Sequence, residues 1–304
     1  MKFLEKSQNK LSGDELATSA SANTEIIDQI KDPVKLSYYL IQATNDRKKE
    51  MRYRSLRLSE IDGACPREYV LGRLLDLSYW SSVRFSNRWQ MDMGSVLHWK
   101  IQNDPDYFGD KIVGYWKCMA CGYPRRFGVK PQEPCEQCKA HPRVTEYDEY
   151  MFRLKSPYRV VGKVDLILRV APRVYRFGEI KTCSEDLDSP VGWHVAQAAS
   201  YTYFSRYDDS LPIQIDRSTC YLFYFNKKFN WKSPTKTFTI KPTAALIDPL
   251  KEKAALITNC IKEKTLPAPL VNCINNNFAK GRASKCGIAK ECKKKFDMGI
   301  EKIE

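Results

Sequence analysis

Two acidic residues and a lysine occupy neighbouring β-prone segments of the chain. Residues 158–170 contain Asp165, and residues 173–182 contain Glu179 and Lys181. Because side chains alternate between the two faces of a strand, Glu179 and Lys181 share one face. Carboxylates beside an ammonium group can hold a divalent metal ion and a phosphate together, so this pair of strands is a candidate catalytic centre.

The register of the predicted hairpin brings these groups opposite one another. If a turn over residues 171–173 joins the strands, counting back places Asp165 opposite Glu179 and Lys163 opposite Lys181. Two carboxylates directly across a hairpin repel each other unless a cation lies between them. A salt-bridged, exposed strand face is the alternative interpretation of so short a pattern.

Predicted helices and further strands surround the hairpin. The helical segments are residues 59–77, 88–103, 190–207 and 242–264, and the further strands are residues 217–226 and 235–241. Pro66 suits the start of the first helix because its φ angle is fixed near the helical value. Gln197 and Tyr201 are four residues apart in the third helix and therefore share a face.

Four motifs in this order resemble the RecB-like branch of the PD-(D/E)XK nuclease superfamily. They are Gly94-x-x-x-His98, Asp165, Glu179-x-Lys181 and Gln197-x-x-x-Tyr201, and the resemblance spans about residues 60–295. It implies an α/β fold with a central mixed sheet flanked by helices.

The resemblance also implies roles for the site residues. His98, Asp165, Glu179 and the Ile180 carbonyl would bind Mg²⁺ or Mn²⁺. Lys181 would orient or help deprotonate the attacking water and stabilise developing charge during phosphodiester hydrolysis. Gln197 and Tyr201 would support the site or the nucleic-acid backbone.

Four of the 11 cysteines have zinc-ligand spacing. Cys118, Cys121, Cys135 and Cys138 form a CxxC-x13-CxxC pattern in residues 112–145, a stretch rich in glycine, proline and lysine. Each CxxC turn presents two thiolates to one tetrahedral Zn²⁺, so we expect a zinc-ribbon insertion. Four thiolates leave no open coordination position, which indicates a structural zinc.

A second set of cysteines resembles that of the iron–sulfur nucleases in this superfamily. One early residue, Cys65, and three late ones, Cys273, Cys286 and Cys292, resemble the arrangement in CRISPR-associated exonucleases and the AddAB-type nuclease domain, although twelve residues separate Cys273 from Cys286 where the family spacing has two. The resemblance implies a structural 4Fe-4S cluster that clasps the ends of the nuclease domain. A second zinc site or free thiols are the alternatives.

The net charge of +14 favours a polyanionic partner. No segment approaches the roughly 18 apolar residues of a membrane span, and the amino terminus lacks the apolar core of a signal peptide. We therefore expect a cytoplasmic protein, or one in the host cytoplasm if a phage encodes it, with no membrane partner.

The expected organisation has five parts. They are a flexible amino-terminal arm (1–23), a helical part of the nuclease domain (24–111), the zinc ribbon (112–145), the catalytic core (146–264) and a basic, cysteine-bearing tail that closes the iron–sulfur site (265–304).

The expected function is a DNA exonuclease that acts on single strands or duplex ends in recombination, repair or phage genome processing. A helicase, a recombinase or another replication or repair protein is the expected partner. A structure-specific endonuclease or nickase and a non-catalytic nucleic-acid-binding metalloprotein are the alternatives.

Overall fold

The computed structural model describes residues 48–52, 55–82, 85–227 and 235–303. The chain divides into two compact units, Met1–Lys49 with Trp80–Met91, and Glu50–Tyr79 with Asp92–Glu304. All predicted site residues belong to the second unit. The predicted arm (1–23) and the first part of the helical region (24–47) lie outside the described residues.

Seven α-helices, four short 3-10 helices and twelve strands are present in the described residues. The helices are α1 (Pro66–Leu74), α2 (Phe85–Asn103), α3 (Pro105–Phe108), α4 (Gly192–Phe204), α5 (Ala244–Glu263), α6 (Val271–Asn275) and α7 (Ala289–Asp297). The strands are β1 (Lys48–Arg52), β2 (Leu56–Arg57), β3 (Ser78–Ser82), β4 (Ile112–Cys118), β5 (Pro124–Gly128), β6 (Thr145–Asp148), β7 (Tyr150–Arg153), β8 (Val160–Val164), β9 (Leu166–Ala171), β10 (Val174–Cys183), β11 (Cys220–Asn226) and β12 (Thr235–Ile240).

The central sheet has the strand order β12-β11-β10-β9-β4-β5, and β6 also pairs with β4. Strands β10 and β11 run parallel, whereas β10 and β9, like β11 and β12, run antiparallel. A three-stranded sheet, β2-β8-β7, and a two-stranded sheet, β1-β3, complete the described strands. The predicted α/β architecture with a central mixed sheet is confirmed.

Both faces of the central sheet are buried. Ile167 and Phe177 belong to a hydrophobic cluster with residues of α4 and α5. Leu168 and Ile180 belong to a second cluster with Ile101 of α2. Burying an aliphatic side chain stabilises the fold by about 1.5–3 kcal/mol. The alternation of apolar residues along β9 and β10 therefore places helices on both faces of the sheet.

The predicted strand 158–170 is two strands in different sheets. The chain leaves the small sheet after Val164 and enters the central sheet at Leu166, so Asp165 lies at the change of sheet. Lys163 consequently pairs with Met151 of β7. The prediction that Lys163 lies opposite Lys181 was wrong, because β8 never pairs with β10.

The register of β9 and β10 agrees with the predicted pairing near the site. Gly178 lies opposite Leu166 at the end of this ladder, so Glu179 and Asp165 are the next residues along the two segments. At the other end the ladder extends to Ala171 opposite Val174, after an irregularity between Val174 and Tyr175. The turn is therefore shorter than the three residues assumed from sequence.

The cysteine-rich segment is continuous with the central sheet. Strand β4 pairs with β5 and β6 of the ribbon, and its first residues also pair with β9, Ile112 opposite Leu168 and Val113 opposite Ile167. Ile112 and Val113 are both buried. The boundary predicted at residue 112 thus falls at the start of a strand that the ribbon shares with the core.

Gly162 of β8 provides a test of packing next to the change of sheet. A Cβ at this position would lie 2.4 Å from Cζ of Phe152, whose side chain is buried. Overpacking of this kind costs about 1–3 kcal/mol. We expect Gly162→Ala to lower the urea midpoint accordingly, whereas Gly128→Ala, with no atom within 4 Å of its added Cβ, should change it little. Equal midpoints for the two variants would contradict the predicted clash.

Within the described part of the chain, every helix is too short or too polar to cross a bilayer.

Candidate active site and metal centres

Asp165 is fixed at the change of sheet by two backbone contacts. Its Oδ2 accepts a hydrogen bond of 2.8 Å from the Ile180 N–H of β10, and its carbonyl accepts one of 2.9 Å from Gln102 Nε2 of α2. Only 13% of its side chain is exposed. The carboxylate is therefore held in one orientation between the hairpin and the helix.

His98 reaches the same carboxylate from α2. A Cβ at Gly94 would lie 3.3 Å from Thr182 Oγ1, so glycine at this position allows a close approach of α2 to the end of β10. One helical turn later, His98 Nδ1 lies 3.7 Å from Asp165 Oδ2. The glycine and histidine of the GxxxH motif thus lie on the helix face that meets the hairpin.

Glu149 completes a group that sequence reasoning missed. One ligand atom each from His98, Glu149 and Asp165 lie within 4.8 Å of one another. Gln102 Nε2 donates a hydrogen bond of 2.8 Å to Glu149 Oε1, and Lys163 forms an ion pair with the same carboxylate. Gln102 lies four residues after His98, so helix periodicity could have identified it, but Glu149 follows a strand with no distinguishing pattern.

Glu179 and Lys181 lie side by side on β10, as the alternation predicted. Glu179 Oε1 accepts hydrogen bonds from Lys181 Nζ at 2.7 Å and from Gln197 Nε2 at 2.6 Å. Gln197 Oε1 accepts from Lys181 Nζ at 3.0 Å, and Gln197 Nε2 also donates 3.0 Å to the Tyr201 hydroxyl. The Gln197-x-x-x-Tyr201 motif therefore orients both the acid and the lysine.

The second oxygen of Glu179 has no partner. Glu179 is 2% exposed, and its Oε2 is buried without a hydrogen bond. A buried acceptor left unpaired costs about 1–3 kcal/mol. This oxygen is the one that remains available to bind a cation.

Burial raises the pKa values of both carboxyl groups, and repulsion from a neighbouring carboxylate adds to each shift, from Asp165 for Glu179 and from Glu149 for Asp165. Burial raises the pKa of Glu179 well above its ordinary value, with a further increase from the Asp165 charge, and nearby Lys181 opposes both. Burial also raises the pKa of Asp165, against His98 and Lys181. Two buried acids that resist ionisation together become fully ionised when a cation binds between them.

Ile180 lies beside the site, and its carbonyl as a metal ligand stays a prediction. Its side chain is fully buried and its N–H donates to Asp165. Among the acidic, histidine and cysteine side chains of the described residues, the group with ligand atoms within 4.8 Å contains Glu149 in addition to His98 and Asp165, but not Glu179.

The four ribbon cysteines form one compact cluster, which could bind a metal such as zinc. All four Sγ atoms lie within 4.8 Å of one another, and the Cys118–Cys138 and Cys121–Cys135 sulfur distances are both 3.7 Å. A Zn–S distance of about 2.3 Å gives a tetrahedron with sulfur–sulfur edges of about 3.8 Å. The spacing of the thiols matches this tetrahedron.

The two CxxC turns of the ribbon have the same geometry. The Gly122 N–H donates 2.7 Å to the Cys118 carbonyl, and the Lys139 N–H donates 2.9 Å to the Cys135 carbonyl. Gly122 and Lys139 both have a positive φ, 76° and 58°. A hydrogen bond from the Cys138 N–H is the main cause that lowers the pKa of the Cys135 thiol to about 6. The backbone therefore favours a thiolate at that position.

The other predicted cysteine set lines one cavity. Cys65 precedes α1, Cys273 lies in α6, Cys286 lies between α6 and α7, and Cys292 lies in α7. All four line the same cavity, which is partly open to solvent. Burial raises the pKa of Cys65, Cys286 and Cys292. Within the described residues, no three of these thiols come within 4.8 Å of one another.

Comparisons with known proteins add little. No protein-family model matches the chain, and no curated protein matches it in sequence. One solved structure, titled "Crystal structure of SSO0001", is similar at 15% identity with a TM-score of 0.34, covering 76% of this chain and 85% of that chain. The interpretation of the site therefore depends on its own geometry.

Proposed function

We propose that this protein is a metal-dependent DNA nuclease of the PD-(D/E)XK type. The observation that carries the proposal is the convergence of His98, Asp165, Glu179 and Lys181, which come from α2, the change of sheet after β8, and β10. An imidazole, two acids and a lysine in this arrangement suit hydrolysis of a phosphodiester.

The residues present fit a divalent cation. His98, Glu149 and Asp165 offer three ligand atoms at close range, and the unpaired Glu179 Oε2 is buried nearby. Carboxylate oxygens are the donors that Mg²⁺ and Mn²⁺ prefer. Such an ion, when bound, would lower the pKa of a water ligand and neutralise charge on the scissile phosphate.

In this proposal Lys181 would orient or help deprotonate the attacking water and stabilise developing charge. Its Nζ is held by Glu179 and Gln197, and 17% of its side chain is exposed. A cation fixed in advance by such contacts stabilises developing negative charge without a reorganisation cost during the reaction. Gln197 and Tyr201 act as positioning residues in this scheme.

The second cysteine set is proposed to hold a structural 4Fe-4S cluster. Its four thiols surround one cavity but are spread more widely than the ribbon thiols, which suits a polynuclear cluster better than a single tetrahedral zinc ion. The cluster would join α1 to the carboxy-terminal segment that carries α6 and α7.

DNA is the proposed substrate, and we retain exonuclease activity on single strands or duplex ends as the specific proposal. The net charge of +14 supports a polyanionic partner. A role in recombination, repair or phage genome processing, with a helicase or recombinase as partner, follows from the family resemblance alone.

The test is an assay of the purified chain on end-labelled linear and covalently closed circular DNA, each single- and double-stranded, with Mg²⁺, Mn²⁺ or EDTA. Metal-dependent trimming of linear DNA from its ends is expected, with circles intact. Cut circles would replace the exonuclease proposal with an endonuclease or nickase. Retained DNA binding without cleavage in either metal would leave a binding protein and overturn the nuclease proposal.

In this proposal Trp193 would stack on a base of the substrate. It lies at the start of α4, is 53% exposed, and its ring centroid is 5.9 Å from Lys181 Nζ. Its ring also packs against His194, whose Nδ1 lies 2.7 Å from the Tyr224 hydroxyl, so the indole rests on an anchored neighbour.

Because base–aromatic stacking contributes about 1–3 kcal/mol, Trp193→Ala should weaken binding of single-stranded DNA by roughly 5- to 100-fold. Trp193→Phe should retain most of the affinity, since it keeps an aromatic face. Fluorescence anisotropy with a labelled oligonucleotide in EDTA measures both variants without cleavage. Equal affinity of Trp193→Ala and the unmodified protein would exclude the stacking role.

A further inference from the structure

Arg67 is a buried cation whose hydrogen bonds are incomplete. It follows Cys65 and Pro66 at the start of α1 and is 3% exposed. Its Nη1 donates 2.6 Å to the Pro267 carbonyl, whereas its Nε is buried without a partner. A buried guanidinium is strongly destabilising unless a negative charge lies beside it.

The carboxylates of the described residues do not supply that charge. Arg67 forms no ion pair with any of them, and the adjacent Glu68 is paired with Arg282 at 3.4 Å. Both members of this pair line the same cavity as Arg67. The guanidinium of Arg67 is therefore the uncompensated cation of the cavity.

The groups that face Arg67 across the cavity are thiols. Cys65, Cys273, Cys286 and Cys292 line the cavity with it. Four thiolates around a zinc ion or an oxidised iron–sulfur core leave a net negative charge. Such a group would supply the anion that the buried guanidinium lacks.

We propose that Arg67 is the buried counter-cation of an anionic metal–thiolate group held by Cys65, Cys273, Cys286 and Cys292. The proposal rests on the proposed cluster but not on nuclease activity. Arg67 is a positioning residue here, and its contact with Pro267 also ties α1 to the start of the carboxy-terminal segment. Cluster binding and docking of that segment are thereby coupled through one side chain.

A positive charge beside an iron–sulfur cluster favours its reduced, more negative state. Arg67→Met keeps the length of the side chain and removes the charge, so it should lower the midpoint potential of the cluster. It should also speed the loss of iron to a chelator by about tenfold, since the positive charge beside the four thiolates is removed. Arg67→Lys keeps the charge and should retain a potential close to that of the unmodified protein.

The experiment uses the full chain, reconstituted anaerobically with ferrous iron and sulfide. Three variants are compared with the unmodified chain: Arg67→Met, Arg67→Lys and Arg282→Met. For each we measure the iron and acid-labile sulfide per chain, the absorption at about 400 nm, the midpoint potential and the rate of iron loss. Arg282 is the matched control, because it lines the same cavity but already pairs with Glu68. These readouts need no cleavage, so failure of the nuclease proposal would leave them intact.

Each outcome decides the proposal. An unchanged potential and unchanged iron retention in Arg67→Met would overturn it, as would shifts equal to those of Arg282→Met. If Arg67→Met is insoluble, a folded, loaded Arg67→Lys supports the role of the charge, whereas failure of both variants assigns Arg67 to packing alone. If Cys65, Cys273, Cys286 and Cys292 of the unmodified chain take up zinc instead of iron, faster zinc release from Arg67→Met supports the proposal. Uptake of neither metal refutes it.

Discussion

Glu179→Gln should lower metal-dependent DNA hydrolysis by about 10²–10³-fold or more, with DNA binding largely retained. The substitution keeps the volume of the side chain but removes the charge of the buried carboxylate. It replaces one carboxylate oxygen with an NH2 group, which donates hydrogen bonds and cannot bind a cation. Lys181 Nζ would lose its 2.7 Å charged partner, and the unpaired Oε2 would no longer serve a cation. Cleavage is measured as initial rates on linear DNA, and binding by anisotropy in Ca²⁺.

The matched control is Glu252→Gln, an exposed position on α5. It should cleave at the rate of the unmodified protein. Lys181→Met should behave like Glu179→Gln, because a fixed cation is removed from the same network. A Glu179→Gln variant that cleaves at the unmodified rate would remove the acid from the catalytic centre and with it the proposed mechanism.

Loss of the ribbon metal should be the largest structural perturbation. Cys135→Ser should reduce the zinc content by about one ion per chain and leave the segment between β4 and β6 open to protease. Structural zinc sites contribute apparent binding free energies of about 10–16 kcal/mol in isolated zinc-finger peptides, which far exceeds what a short ribbon gains from packing. Elemental analysis and limited proteolysis measure the two effects.

Cys260→Ala is the control for that experiment. Cys260 is buried in α5 and belongs to the hydrophobic core, so its replacement should keep the zinc content and the protease pattern. A Cys135→Ser protein that retains the zinc content and the protease pattern of the unmodified protein would show that the four thiols do not hold a shared metal.

The ribbon is connected directly to the candidate active site. Loss of the ribbon metal should therefore also reduce DNA cleavage. Strand β6 ends immediately before Glu149, the acid that lies with His98 and Asp165. The Tyr147 N–H of β6 donates 2.7 Å to Asn103 Oδ1 at the end of α2, and Glu146 accepts 3.3 Å from Trp99 Nε1. The ribbon thus fixes the end of α2 and the position of Glu149 together.

Local spacing was sufficient for those parts of the site that lie on one element. Alternation along β10 placed Glu179 and Lys181 on one face, and helix periodicity placed Gln197 beside Tyr201, because the geometry of a strand or helix is set by the backbone alone. The four ribbon cysteines were equally predictable, since each CxxC turn closes within itself.

Pairing between distant elements could not be predicted in the same way. The change of sheet at Asp165 removed Lys163 from Lys181, because a β-prone run does not show which neighbour each half will pair with. Glu149 lies in the site only because of the path that β6 takes through the fold. A sequence pattern determines the face on which a side chain lies, but the packing of the whole core decides which faces meet, and this is why the surroundings of Arg67 were visible only in the tertiary structure.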